Sequence, residues 1–245
     1  MRWAPLLCSS FLCLGLGAAE AAPPLPQTRP ALLESGPHSL VNLIDTARLL
    51  RRGQKDAVLS FSCRVFKDGE CGRMFTYRST PGSLPLAEEV VDKARSARFI
   101  AAVYKGEHQS VFLSGTVIFA VVAGRPHLRI FLNQEEEHLK KGDDFIAPQP
   151  VVYIGDKFDG FSYPEHDRLS GTVVVGVDTD ATGKQLAARL IYVSPPGEGF
   201  GKAVMKNFHQ ITFLPGYLHG QPVACSSSIQ FLFKGAYISS YWKND

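Results

Sequence analysis

The feature that most constrains the fold of this 245-residue chain is an internal repeat. When the chain is aligned with itself at an offset of 114 residues, the stretch 59–119 matches the stretch 173–233 without a gap. Turn glycines fall on turn glycines, and the alternating apolar residues stay in phase. The identical pairs are Gly69 and Gly183, Pro81 and Pro195, Val90 and Val204, Phe99 and Phe213, Gly106 and Gly220, Ser114 and Ser228, and Phe119 and Phe233. Self-similarity at one fixed spacing predicts two copies of one folding unit.

Both copies begin with a predicted β-hairpin. Alternating apolar residues predict a first strand over 57–66 in one copy and over 171–180 in the other. Asp68-Gly69 and Thr182-Gly183 then predict tight turns, because glycine readily takes the positive φ of a hairpin. A second strand follows through the tyrosines at 77 and 192.

A helix and a closing strand complete each copy. Proline and glycine breaks precede each helix. The expected apolar faces are Leu86, Val90, Val91 and Ala94 in copy one, and Phe200, Ala203, Val204 and Phe208 in copy two. Closing strands are predicted over 110–121 and 223–233, with short further strands over 127–132 and 237–242. The fold class is therefore α+β: two tandem β-β-α-β units, each a small antiparallel sheet with one helix on one face.

The first 21 residues are typical of a signal peptide. Arg2 precedes an apolar stretch over 6–16, and small residues place the cleavage site after Ala21. An uncleaved anchor is the competing interpretation, although the apolar run is shorter than the roughly 20 residues that cross a bilayer. Residues 22–56 are predicted to form an extended leader and one amphipathic helix. Ser39 would cap this helix, and its apolar face comprises Leu40, Leu43, Ile44, Ala47 and Leu50.

The predicted domain boundaries follow from these elements. Unit 1 spans 57–133 and unit 2 spans 163–245. The segment 134–162 between them begins with three glutamates and contains Pro148 and Pro150. This composition predicts a solvated linker, with a short helix at its start.

Export into an oxidising compartment would permit a disulfide, and Cys63 and Cys71 are the candidate pair. The register of their hairpin decides the matter. A two-residue turn, which the ungapped repeat favours, places the two side chains on opposite faces, whereas a five-residue loop or a bulge places them in direct opposition. Cys225 would stay unpaired.

Residues 163–233 resemble the C-terminal domain of the TonB family. The matching motifs are Tyr163-Pro164, Leu169-Ser170-Gly171-Thr172-Val173, the turn from Asp178 to Gly183, Ser194, Phe213-Leu214-Pro215, Gly220-Gln221-Pro222-Val223 and Phe231-Leu232-Phe233. Through the repeat the resemblance extends to 57–121, where Phe99-Ile100-Ala101 lacks the proline. The resemblance implies a periplasmic module that binds an extended peptide of an envelope protein or outer-membrane transporter.

Energy transduction, the role of TonB itself, requires features that this chain lacks. In the family, a membrane helix with a polar face couples to a motor, and a long proline-rich arm crosses the periplasm. Here no Ser-x-x-x-His face is present, and the proline-rich stretch after residue 22 is short. For this reason, an energy transducer anchored in the inner membrane and facing the periplasm is the alternative function and not the leading one.

Partner binding is expected at the edge strand that closes unit 2. An exposed strand edge presents unpaired N–H and C=O groups to which a peptide can add. The candidate residues are Val223, Cys225, Ser226, Ser227, Ser228 and Gln230. A structural envelope scaffold, in which the two units pack on each other or form a homodimer, is the remaining alternative.

Catalytic motifs are absent from the sequence. Glu137-His138 and Glu165-His166 lack the second histidine of a zinc motif, and there is no phosphate loop or nucleophile elbow. His209 and His219 are expected at the surface. The net charge of +3, without a basic run, predicts no nucleic-acid partner. The chain is thus expected to be no enzyme and to have no cofactor, metal or small-molecule substrate.

Overall fold

A computed structural model describes residues 25–72, 74–152 and 169–233. The fold is mixed and rich in strands, and its strands form several antiparallel sheets. None of the helices in these ranges is long and apolar enough to cross a membrane. The predicted signal peptide, the Tyr163-Pro164 motif and the predicted strand over 237–242 lie outside the described residues.

The leader begins with two short strands, β1 (Thr28–Arg29) and β2 (Leu32–Leu33). The single amphipathic helix predicted after it is wrong, because the chain forms two helices, α1 (Leu40–Leu43) and α2 (Thr46–Arg51). The break lies at Ile44, whose backbone is extended. Asp45 then accepts a 2.8 Å hydrogen bond from the Arg48 N–H and so starts the second helix.

The first half of the chain forms a large sheet with one helix packed on it. Its elements are β3 (Ala57–Val65), β4 (Phe75–Tyr77), α3 (Leu84–Ala94), β5 (Phe99–Ile100), β6 (Ala102–Tyr104), β7 (Glu107–Val122) and β8 (Arg125–Phe131). Strand β7 is central: β3 pairs with one side, and β6 and β8 pair with the other. Strand β4 continues the sheet beyond β3, and β1 continues it beyond β6.

The segment predicted as a solvated linker is partly buried, so that prediction is wrong over residues 145–152; the rest of the predicted linker, 153–162, lies outside the described residues. The expected short helix is present as α4 (Glu136–Leu139). Phe145 is then fully buried, and β9 (Gln149–Val152) pairs with β7. Apolar side chains at 145, 146 and 151 explain the difference, because leaving them in water would cost more than ordering the segment.

The second half forms a three-stranded sheet and smaller hairpins. Its elements are β10 (Gly171–Thr179), β11 (Gln185–Ser194), α5 (Phe200–Phe208), β12 (Phe213–Leu214), β13 (Gly216–Leu218), β14 (Gln221–Val223) and β15 (Cys225–Phe233). The sheet order is β11-β10-β15, with all pairs antiparallel. Strand β12 pairs with β9, which joins the second half of the chain to the large sheet.

The two longest described helices, α3 and α5, each cover one face of a sheet. Leu86, Val90 and Ala94 on α3 are buried in the first core, and the predicted fourth residue, Val91, is partly buried. In the second core, α5 contributes Phe200, Val204 and Phe208, which pack against Val173, Val175, Val177, Phe213, Phe231 and Phe233. Leu214 belongs to the first core although it lies in the second half. The two halves are therefore in direct contact.

Candidate functional site

The predicted partner-binding residues lie at an edge of the three-stranded sheet. Strand β15 pairs with β10 over nine residues, from Gly171 opposite Phe233 to Thr179 opposite Cys225, with no register shift. No other described strand pairs with β15. Five of the six predicted residues belong to this strand, while Val223 lies in the β13–β14 hairpin, opposite Gly216. The structure therefore gathers all but one of them on one strand.

Side chains of β15 alternate between two environments. Phe231 and Phe233 point into the core, where their ring centroids lie 6.1 Å from Phe208 and 5.0 Å from Phe200. Ser227 is buried, as expected from the same alternation. Ser226, Ser228 and Gln230 lie on the other face, opposite Asp178, Gly176 and Val174 of β10. This alternation fixes β15 firmly on the core while its outer backbone edge stays unpaired by described strands.

Charged and polar side chains of the three strands contact one another on the outer face of this sheet. Arg189 of β11 contacts Asp178 of β10 at 3.2 Å. A hydrogen bond from Ser226, together with the Arg189 contact, lowers the pKa of Asp178. One polar side chain from each strand thus contributes to a single cross-strand contact.

The same face of β15 also meets the segment between the two halves. The Ser228 hydroxyl donates a short hydrogen bond to the Glu135 carboxylate. Nearby, the Ser114 hydroxyl donates to that of Ser62 at 3.1 Å. Burial raises the pKa of Tyr77 to about 12, and its buried hydroxyl has no hydrogen-bond partner among the described residues. A polar contact zone therefore links β15 to the first half through side chains, without using the outer backbone edge of β15.

Cys225 has a structural environment rather than a reactive one. Its Sγ lies over Gly216, where an added Cβ would come within 2.4 Å of the sulfur. Burial raises the pKa of the Cys225 thiol. Since the thiolate is the reactive form, the neutral thiol in this position is a poor nucleophile at neutral pH.

A second sheet edge, β11, was missed by the sequence analysis. Its exposed apolar side chains are Leu186, Leu190, Ile191 and Tyr192, all between 46% and 62% exposed. Two register shifts interrupt its pairing with β10, and Leu186 and Ile191 are the unpaired residues. Such bulges twist an edge and discourage further pairing. The run Leu190-Ile191-Tyr192-Val193, which does not alternate, was the available signal in the sequence.

The candidate disulfide pair lies in a hairpin with two registers. Along the strands, residues 60–62 pair with Phe75–Tyr77 in the register that a two-residue turn predicts, whereas at the loop the register is shifted by one residue and differs from both predicted alternatives. Phe66 and Glu70 flank a three-residue loop, with a 2.9 Å hydrogen bond from the Phe66 N–H to the Glu70 carbonyl. Cys71 consequently lies opposite Val65, so it shares a face with Cys63 but is displaced by two residues. Both cysteines are free thiols. A hydrogen bond with Cys71 and burial raise the pKa of Cys63.

The histidines are dispersed. His138 is buried and stacks on Phe145 with ring centroids 4.1 Å apart, whereas exposed His219 contacts Asp144 at 3.0 Å. Exposed His209 lies just after α5, and His166 lies outside the described residues. Within the described part of the chain, no group of three or more His, Cys, Asp or Glu residues could hold a metal ion.

Comparison with known proteins gives no family assignment. No protein-family model, curated protein or solved structure matches the chain.

Proposed function

We propose that the protein is a TonB-like binding module of the periplasm that recognises an extended peptide of an envelope or outer-membrane transport protein. Recognition uses strand addition to the outer edge of β15 between Cys225 and Gln230, with which no described strand pairs. The observation that carries the proposal is the nine-residue, unshifted pairing of β15 with β10. A regular strand edge that no described strand occupies offers an incoming peptide a regular row of N–H and C=O groups.

The choice of β15 over β11 follows from their backbones. Strand β11 has more exposed apolar surface, but its two register shifts interrupt the row of hydrogen-bonding groups. Strand β15 keeps that row intact, because its nine-residue pairing with β10 has no register shift. Main-chain pairing supplies affinity in this mode, so the continuous edge is the better template.

The proposal includes the tandem architecture of two β-β-α-β units. Support comes from equivalent details at the 114-residue offset. Gly69 and Gly183 have φ values of +81° and +84°. A Cβ added to Gly69 would lie 2.2 Å from the Phe99 carbonyl oxygen, and one added to Gly183 would lie 2.1 Å from that of Phe213. The same close approach at both repeat positions is difficult to explain without a common unit.

Strand order supports the same architecture. In the first half, β3 lies between β4 and β7, and in the second half, β10 lies between β11 and β15. These middle strands, β3 and β10, are the first strands of their proposed units, and in both units the helix follows the second strand. This order is the one expected when a hairpin, a helix and a returning strand form one sheet.

The experiment that tests the function is capture from an envelope extract by the immobilised full chain, followed by crosslinking. A photoreactive side chain at Ser226 should crosslink to the captured peptide, because Ser226 is exposed on β15. The matched control carries it at Leu186, on the bulged edge, and should crosslink poorly. Equal crosslinking at both positions, or capture of nothing, would contradict the proposal.

A structural scaffold is the second candidate, and one specific observation favours it. Strand β9 pairs with β7 on one side and with β12 on the other, so the two halves share a sheet. A rigid joint of this kind suits a spacer or an assembly subunit. Sedimentation of the full chain distinguishes the candidates: a scaffold that dimerises through the β15 edge would not bind peptide as a dimer.

Export to the periplasm belongs to the same proposal. Release by osmotic shock with a new N-terminus near Ala22 would support it. Membrane-bound protein that retains Met1 would instead favour the anchored energy transducer.

A further inference from the structure

The N-terminal leader is itself held by strand addition in a groove of the first half. Thr28 and Arg29 lie opposite Tyr104 and Val103 of β6. Leu32 and Leu33 lie opposite Ile100 and Phe99 of β5. In all four pairs the residue numbers add up to the same value, so β1 and β2 are one extended segment in a single antiparallel register. We call this segment, 27–33, the leader strand.

Side chains fix the leader strand where main-chain pairing is interrupted. Between β1 and β2, the side-chain amide of Gln149 substitutes for a neighbouring strand. Its Oε1 accepts a 2.7 Å hydrogen bond from the Ala31 N–H, and its Nε2 donates to the Ala31 carbonyl at 2.9 Å. Ala31 is fully buried, and Gln149 is 3% exposed. The Arg29 guanidinium also donates to the Ala101 carbonyl at 2.9 Å.

These contacts define a selective pocket. Because Ala31 is enclosed and both of its main-chain groups bond to one amide, a larger side chain at this position would separate the strand from Gln149. Leu32 and Leu33 pack against the first core, which adds apolar affinity. The groove should therefore prefer a segment in which a small residue is followed by two leucines and preceded, two positions earlier, by an arginine.

Gln149 also links this groove to the second half. Its backbone lies in β9, opposite Leu214 of β12, while its side chain holds Ala31. One residue thus contacts the leader strand and the second half at the same time.

We propose that the groove along residues 99–104, closed by Gln149, is a peptide-binding site that accepts the leader strand of a second copy in place of its own. Most of its contacts use main-chain groups or one side-chain amide, and such contacts form equally well with a segment of another chain. The leader strand reaches the fold through the short segment Glu34–Pro37, in which Ser35 and Pro37 are exposed. Exposed connections of this kind permit exchange of an identical element between copies. The proposal is independent of the β15 edge.

The test uses the full chain with a protease site inserted between Ser35 and Gly36 and cut after folding. A fluorescent synthetic peptide of residues 25–35 is then added in excess, and its incorporation is followed by anisotropy. We expect saturable replacement of the severed leader at one peptide per chain. Gln149→Ala in the cut chain should weaken peptide binding about tenfold or more, because two buried hydrogen bonds are lost.

Two controls make the result specific. A peptide with Ala31→Asp should not bind, while Gln230→Ala in the chain should leave binding unchanged, because Gln230 lies on β15 away from the groove. Failure of the labelled peptide to enter, equal binding of the Ala31→Asp peptide, or unfolding of the chain after cutting would each overturn the proposal. The last outcome would show that the leader strand is a fixed part of the core.

Discussion

Substituting Gly183 with alanine should destabilise the protein more than its backbone conformation alone explains. Gly183 has a φ of +84°, and an added Cβ would lie 2.1 Å from the carbonyl oxygen of Phe213. The left-handed conformation costs an alanine about 1–2 kcal/mol. The clash adds to this cost because the Phe213 carbonyl is a backbone group that cannot turn aside as a flexible side chain could, so the hairpin must move away from β12. We expect a total loss of about 3 kcal/mol, within the range of strained backbone sites.

Gly197 provides a matched control. Its φ is also +84°, but an added Cβ would have no heavy atom within 4 Å. Gly197→Ala should therefore cost only the conformational part, about 1 kcal/mol. Urea unfolding followed by circular dichroism measures both variants, and the difference between them isolates the close approach to Phe213. Equal losses for the two variants would refute the reasoning.

Three further predictions concern buried polar groups. Glu89→Ala should cost about 1–2 kcal/mol, because this 4%-exposed carboxylate accepts a hydrogen bond from the Asp45 N–H and contacts Arg48 and Lys93, which both keep access to water when it is removed. In the same urea assay, Glu88→Ala at the exposed neighbouring position should cost under about 0.5 kcal/mol. Burial lowers the pKa of His138, so the folded protein binds a proton at this side chain less readily than the unfolded chain does. Urea unfolding at a series of pH values should therefore show the free energy of unfolding falling as the pH drops below about 6.5. His138→Gln should make this dependence of stability on pH less steep. Cys63 and Cys71 lie at diagonal rather than directly opposed positions and both are free thiols, so differential alkylation without reductant should find both reduced, and an oxidised pair would contradict this arrangement.

The sequence predicted most of the regular elements because their apolar residues are periodic. The strand predicted over 57–66 is β3, Ala57–Val65, and the helix face through Leu86 and Val90 is buried as expected. The three-residue hairpin loops and their positive-φ glycines follow local rules, although the loop length was not predicted. Periodicity reports which face is buried, and for these elements that information was sufficient.

Elements that depend on distant partners were not predicted. Strand β9 is four residues long and contains a proline, so it shows no alternation, and its partners lie in β7 and β12. The break before α2 depends on Asp45, whose capping bond competes with a helical pattern that otherwise continues. The Gln149 contact with Ala31 joins residues 118 positions apart. Local sequence carries no signal for such contacts.

At the candidate binding edge too, the sequence predicted the periodic strand but not the contacts with distant segments. Alternation in the sequence indicated that Ser226 to Gln230 belong to a closing strand, and five of the six predicted residues lie on β15. The sequence did not indicate that the Ser228 hydroxyl would contact Glu135, or that β11 would form a second, bulged edge. Both features arise from packing between segments far apart in the chain.

Residue-resolved amide hydrogen exchange of the full chain, with and without the peptide captured from the envelope extract, tests the central claim most directly. Outward-facing amides alternate along a strand, so addition of a peptide to β15 should protect every second amide between Cys225 and Gln230. Strand β11 should show no change. Protection of β11 instead, uniform protection of both edges, or no protection of β15 would contradict recognition by strand addition at this edge.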